Sequence, residues 1–322
     1  MSKSNSLLVI LCATLASCGI APVSNAPLKV TLATATPGGG FPVYGDAFAA
    51  AVHEADPTIT IEPRNTKGSA ENIPLLEESK VDLALVQGEA AYEALAGINR
   101  NGPAKLKILW AMYSSPGMFV VRADSPYRSI ADLKGKPVAW GAKGSGFVVQ
   151  GGYVVDALGM DRDRDFKAVY LERAGDGPAM LQDGRVAALW GGGIGWPGFI
   201  AAAKMPGGAR FIAPSASEID RILAKHKFLK PVTIPAGSYP PAQMLDIPSV
   251  GSWSFVFARP DLPDETAYRV ARALHRGEGK LGARLAQARD STAQNTYSAV
   301  ADRELLHPGV RKYLRDAGIA RD

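Results

Sequence analysis

Leu28-Lys29-Val30-Thr31-Leu32 alternates apolar and polar residues as a strand does, Thr34-Ala35-Thr36-Pro37-Gly38-Gly39-Gly40 follows as a turn-rich loop, and Phe41 to Ala55 continues as an amphipathic helix. The same unit recurs twice. Thr58 to Glu62 reads as strand, Asn65-Thr66-Lys67-Gly68-Ser69 as loop and Ala70 to Ser79 as helix. Val81 to Val86, Gln87-Gly88 and Glu89 to Ala96 repeat the order. Strands alternating with helices of this length predict an α/β fold with a parallel sheet.

Further along, the apolar runs Leu106 to Met112 and Met118 to Val121 flank Tyr113-Ser114-Ser115-Pro116-Gly117, which reads as a crossing between two domains. A second α/β series starts beyond it. Ser129 with Asp132 makes a helix-opening box, Gly135 ends that turn, and Pro137 to Trp140 is the next strand. Loop Gly141 to Gly146, helix Phe147 to Leu158, strand Ala168 to Leu171, a helix to Gln182 and strand Val186 to Trp190 continue the pattern. Val186 to Ala203 carries no charge, but Gly191-Gly192-Gly193 and Trp196-Pro197-Gly198 break it into strand, loop and helix rather than a membrane span. The Pro-rich stretch Pro231 to Pro248 winds back toward the first domain, Gly251 to Ala258 is a strand, and three or four helices finish the chain. Two linking segments, near Tyr113 and near Val250, thus divide the body into lobe 1 (28–114 and 250–322) and lobe 2 (115–249). A cleft between them is the expected ligand position, because loops at the carboxyl ends of strands line it.

Composition agrees with a globular chain of about two domains: 322 residues, 47% hydrophobic and 21% charged, with 34 Gly and 23 Pro. The N-terminus reads differently. After Lys3, the ten apolar or small residues Leu7 to Ala16 are too short for a bilayer span of about twenty and fit a signal-peptide core. Leu15-Ala16-Ser17-Cys18 has the form of a bacterial lipobox, which predicts a leader at 1–17, acylation of Cys18, and a tether over 18–27. The alternative is ordinary secretion or an uncleaved anchor, with Cys18 incidental. Both cysteines, Cys12 and Cys18, lie in this region, so the body has no thiol for a disulfide, a metal or nucleophilic catalysis. The formal charge of +5 falls to +4 without Lys3 and is spread along the chain, and with no basic stripe nucleic acid is not an expected partner.

Three loops each end at a helix start: Thr36 to Gly40, Lys67 to Ser69 and Lys143 to Gly146. Glycine leaves backbone N–H groups uncovered, and a helix N-terminus carries about half a positive charge, so such loops can bind an anion; each alone can equally be a structural turn. The ending of Gly141 to Gly146 is not that of a nucleotide P-loop, so ATP is not indicated. Ser69 and Ser145 can either cap their helices or donate to a ligand oxygen. Asn72 and Gln87 can orient a polar group or satisfy nearby backbone. Trp190, Trp196 and Trp253 are either core or cleft aromatics. Because Gly195 and Pro197 put Trp196 in a loop, Trp196→Ala is predicted to weaken binding without unfolding the protein.

These residues resemble the TAXI class of solute receptors for tripartite ATP-independent periplasmic (TRAP) transporters over nearly the whole mature chain. Ala33 to Tyr44 is similar to the opening Gly-Gly-aromatic loop of that class. Gly68-Ser69-Ala70-Glu71-Asn72 and Val81 to Gln87 match its Gly-Ser-x-Glu-Asn and Val-Asp-Leu-hydrophobic-Gln elements. Ser129 to Lys136 with Gly144-Ser145-Gly146 is shared more widely among periplasmic binding proteins. The resemblance implies a two-lobed periplasmic binding protein, or Venus flytrap, that captures a small organic anion or amino acid and delivers it to a membrane permease. Its contacts would come from Gly39, Gly40, Phe41, Tyr44, Ser69, Asn72, Gln87, Ser145 and Gly146. Departures occur at Phe147, where a hydroxyl residue is usual, at Gly88-Glu89, and in the aromatic later loops. An aromatic or branched acid would suit the rings and the anion-ready loops together.

No cofactor, metal or catalytic residue is expected. His53, His226, His275 and His307 lie outside the glycine loops and read as surface residues, and no Gly-x-Ser-x-Gly elbow or paired-His motif occurs. The competing readings are a lipoprotein that senses a solute and signals through a membrane partner, and, further off, an exported hydrolase.

Overall fold

A computed structural model describes residues 26–320; the leader, Cys12 and Cys18 lie outside the described residues. The first half of lobe 1 runs β1 (Leu28–Ala33), α1 (Gly40–Ala55), β2 (Ile59–Arg64), α2 (Ser69–Glu77), β3 (Leu83–Val86), α3 (Gly88–Ala96) and β4 (Lys107–Ser114). The chain then crosses and builds β5 (Gly117–Arg122), β6 (Pro137–Ala142), α4 (Gly146–Ala157), β7 (Lys167–Leu171), α5 (Gly177–Gln182), β8 (Ala188–Gly192), α6 (Pro197–Ala203), β9 (Ala209–Ile212) and α7 (Ala216–Lys225). A hairpin of β10 (Lys230–Ile234) and β11 (Ile247–Gly251) leads back to β12 (Trp253–Ala258), and α8 (Asp264–Arg284), α9 (Ala293–Ala299) and α10 (Pro308–Asp316) complete the fold.

Two five-stranded sheets result, in the orders β2-β1-β3-β12-β4 and β7-β6-β8-β5-β9. Neither is wholly parallel, which corrects the sequence expectation. Helical crossovers make β1, β2 and β3 parallel, and likewise β6, β7 and β8. The fourth place in each sheet is taken by the strand that arrives from the other lobe, and that strand runs antiparallel to both neighbours. A chain that enters a sheet from its ligand side has no helix to reverse it, so it descends where the others rise. The Pro-rich return carries strand at its two ends, which the sequence reading does not mark: β10 and β11 pair there as a ribbon with Pro231 opposite Val250.

Period-two alternation explains the apolar run of β5. Met118 and Val120 face a core with Leu189 and Phe199, while Phe119 and Val121 face the opposite core with Trp140 and Trp190. Both faces of the sheet are covered, so no polar residue is needed. The box at Ser129 forms as read: Ser129 N–H donates to Asp132 at 2.9 Å, and Asp132 N–H donates to Ser129 Oγ at 3.3 Å. Among the described residues no helix is long and apolar enough to cross a membrane.

The two crossings lie side by side. Ser115 N–H donates to the Ser252 carbonyl at 3.0 Å, the Ser115 and Ser254 hydroxyls meet at 3.2 Å, and Ser249 Oγ donates to the Gly117 carbonyl at 2.5 Å. A side chain at Gly251 would strike the Ser115 carbonyl at 2.5 Å, so glycine is what lets the two strands touch.

Candidate functional site

The cavity between the sheets is lined from both lobes. Gly39 caps α1, and the amides of Gly40 and Phe41 in its first turn have no acceptor within the helix, while Pro42 brings no N–H at all. Gly68 caps α2 at φ +112°, a conformation that side chains rarely adopt. Ser145 caps α4 and accepts from Phe147 N–H at 3.2 Å. All three glycine loops therefore meet at one hollow, with the start of α3 at Gln87 beside them.

Hydrogen bonds already bridge the lobes around this hollow. Ala70 N–H donates to the Gly144 carbonyl at 3.1 Å, Gly175 N–H to the Pro37 carbonyl at 3.3 Å, and Ala174 N–H to Thr36 Oγ1 at 3.1 Å. The lobes are shut. The enclosed volume is about 50 Å³, several times the minimum for one water molecule and small for an organic solute.

Of the residues singled out from sequence, Gly39, Gly40, Phe41, Ser69, Gln87, Ser145, Gly146, Trp190 and Trp196 line the cavity. Gln87 is the most informative. It is 2% exposed, its backbone N–H donates to Ser69 Oγ at 3.1 Å, and its side-chain Nε2 is buried without a hydrogen-bond partner. Its amide acts on the neighbouring Glu89 carboxyl, and its Oε1 lies on the side of Gly146. Gly146 sits directly across from it: a Cβ there would lie 2.4 Å from Gln87 Cβ and 3.0 Å from Ser69 Oγ.

Three expected contacts are displaced. Tyr44 is fully buried beneath α1, with its hydroxyl 2.7 Å from Ser291 Oγ and its ionisation pushed up by burial. Asn72 spends both amide hydrogens on the Thr34 and Leu85 carbonyls, at 2.8 and 2.7 Å, and accepts from Thr66 at 2.7 Å. It fastens the floor under the loops. Trp253 starts β12 opposite Ser114 and is not among the lining residues.

Trp196 lines the cavity but is only 4% exposed, its ring held between Gly191 and Gly198 and edge-on to Phe199. Its loop position suggested an exposed ring, whereas the loop folds inward because Trp196 N–H donates to the buried Tyr239 hydroxyl at 3.2 Å. Trp190 is more deeply set, its Nε1 donating to the Phe147 carbonyl at 2.9 Å.

Sequence reading missed Tyr113, Ser115 and Gln287. Gln287 comes from the turn after α8, far from any glycine loop, and reaches the site because that turn packs on β4. Lys67 is the one charged residue on the lining, and no carboxylate is present there. Of the histidines, His307 departs from the surface expectation: it is buried, caps α10 and touches the Leu262 carbonyl at 3.0 Å. Among the described residues no cluster of three or more His, Cys, Asp or Glu is placed to hold a metal ion.

The sequence model of the NMT1-like family matches residues 32–318. The chain belongs to the NMT1-like family. Two solved structures show the architecture that this NMT1-like chain shares. MatC from Rhodopseudomonas palustris, solved with bound malate, is 13% identical with a TM-score of 0.59, over 91% of this chain and 98% of MatC. The periplasmic binding protein BugD is 14% identical with a TM-score of 0.55, over 92% of this chain and 99% of BugD. At such identities the likeness is one of fold: the two-lobed α/β fold of periplasmic binding proteins.

Proposed function

We propose that the chain is an extracytoplasmic solute receptor, of the TRAP-type TAXI class, that closes its lobes on a small carboxylate and delivers it to a membrane permease. The observation that carries this reading is the convergence of three helix N-termini, those of α1, α2 and α4, on one cavity. Uncovered amides, Lys67 on the lining and the lack of an acidic side chain on that lining all favour an anion. The restricted volume favours a compact one, so the aromatic acid suggested by the tryptophans fits less well than a short or branched acid. MatC, of the same fold, binds malate, which places that acid in the first panel to test.

Lobe 1 is taken as 28–114 with 250–322 and lobe 2 as 115–249, turning about the paired crossings. Residues 1–17 act as the leader, and acylation of Cys18 holds the receptor at the periplasmic face of a membrane. Transport is then a binding cycle without chemistry: open lobes sample closure, and a solute that touches both walls shifts the population toward the shut form. A thermal-shift screen of organic and amino acids, malate included, tests the reading. An acid that binds only the folded state raises the melting temperature by mass action. Shifts from apolar compounds and none from any acid would overturn it.

A further inference from the structure

Behind the cavity, the first turn of α3 carries Glu89 into the seam between the lobes. Its side chain is fully buried. Oε1 accepts from Gln150 Nε2 of α4 at 3.0 Å, and the same amide also donates to the Ser115 carbonyl on the first crossing at 2.7 Å. Ser252 on the second crossing flanks the carboxyl. The Glu89–Gln150 pair thus joins lobe 1, lobe 2 and both linking segments. Yet Glu89 Oε2, Gln150 Oε1 and Ser252 Oγ are all buried with no hydrogen-bond partner. The groups that act on the carboxyl, its own first-turn amide, Gln150, Ser252 and Gln87, are all neutral. A fully buried charge with no cation beside it is costly, whereas the neutral acid is not.

We propose that Glu89 is the positioning residue that ties closure to protonation: the lobes shut with a neutral carboxyl at this seam, taking one proton from solvent, and part when it leaves. Burial pushes the carboxyl above its ordinary range, against the pull of its own first-turn amide, Gln150, Ser252 and Gln87. The titratable groups farther along the seam are Glu93 on α3 and Tyr153 on α4, joined by a 3.0 Å hydrogen bond, with Arg162 acting on Glu93. Glu93 is likewise pushed up by burial, and Arg162 is committed to Asp163 and the Val148 carbonyl. Solute affinity would therefore rise as pH falls, through closure and not through the solute's own charge.

The inference rests on the receptor reading only in requiring that the lobes open and close, and it is tested without solute. A Cβ at Gly39 would lie 3.7 Å from Ala174 Cβ across the cleft, about the spacing of a disulfide. The pair Gly39→Cys and Ala174→Cys, in a chain also carrying Cys12→Ser and Cys18→Ser, reports the shut state when equilibrated with a glutathione redox buffer. With Glu89 present, the disulfide equilibrium constant is expected to fall as pH rises above the ordinary carboxylate range, by at most about tenfold per pH unit. With Glu89→Gln it should stay flat at the low-pH value. Equal slopes in both chains, or none in either, would overturn the proposal. Should Glu89→Gln not fold, Glu89→Leu decides the same point: with no titratable group there the slope must vanish, and a slope equal to that of the unchanged chain overturns the proposal. A receptor reading that fails in the solute screen leaves this measurement standing, so the two failures are distinguishable.

Discussion

Gln87→Leu keeps most of the volume of the side chain and removes its amide, so affinity for the acid should fall about 10- to 100-fold, the loss expected for one hydrogen bond to a charged group, with a smaller change in folding stability. Calorimetric titration beside a melting curve separates the two. Gly146→Ala is a sharper probe. The added methyl favours α4 on its own and meets Gln87 only across the cleft, at 2.4 Å. Each lobe should fold normally and solute binding should be lost; wild-type affinity in that variant would place Gly146 outside the contact. Trp196→Ala, expected from the sequence to leave folding intact, is now expected to cost about 3–5 kcal/mol, as for a large core aromatic, because the ring fills the space between Gly191, Gly198 and Phe199. Urea unfolding measures it. Most of the wall was legible in sequence because glycine and serine before a helix announce uncovered amides. Tyr113 and Gln287 were not, since a residue on a strand face or a distant turn gives no local sign of what it will be folded against.

Asp82 shows how an element-level motif carries structure as well as likeness. It stands just before β3, accepts from Thr31 N–H and Oγ1 of β1 at 2.9 Å each, and accepts from Arg259 Nε beyond β12 at 3.0 Å. Three neighbouring strands are stitched at one carboxylate. Burial works against its ionisation, but these hydrogen bonds outweigh burial and hold it below the usual carboxylate range. A depressed group contributes stability above its unfolded value, about pH 4, and loses it as pH falls through the folded value. Asp82→Asn should thus be about 1–3 kcal/mol less stable near neutrality, with the gap to wild type closing in acid; a gap independent of pH would show that charge is not what Asp82 supplies. The strand-loop-helix units were readable because each repeats the same period change within thirty residues. The β10–β11 ribbon was not, because Pro231 and Pro248 mask it. Both are exposed on a two-stranded ribbon, where a missing N–H does no damage.

For the molecule as a whole, the proposed solute binding should compact it, and small-angle scattering with and without the acid that raises the melting temperature should show a smaller radius of gyration with it; an unchanged radius would mean the lobes do not move. Cys18→Ser should abolish incorporation of labelled palmitate into the protein; undiminished labelling would overturn acylation at that residue. Fold class was open to sequence reading, but strand order was not, because nothing local announces that β12 will slip between β3 and β4. That placement has a consequence for synthesis. The strand filling the interior of the first sheet is made after all of 115–249, so β3 and β4, which have no ladder with each other, wait with open edges while the ribosome completes the other half. A nascent chain in that condition cannot mature from front to back: the first sheet closes only once its last quarter has emerged.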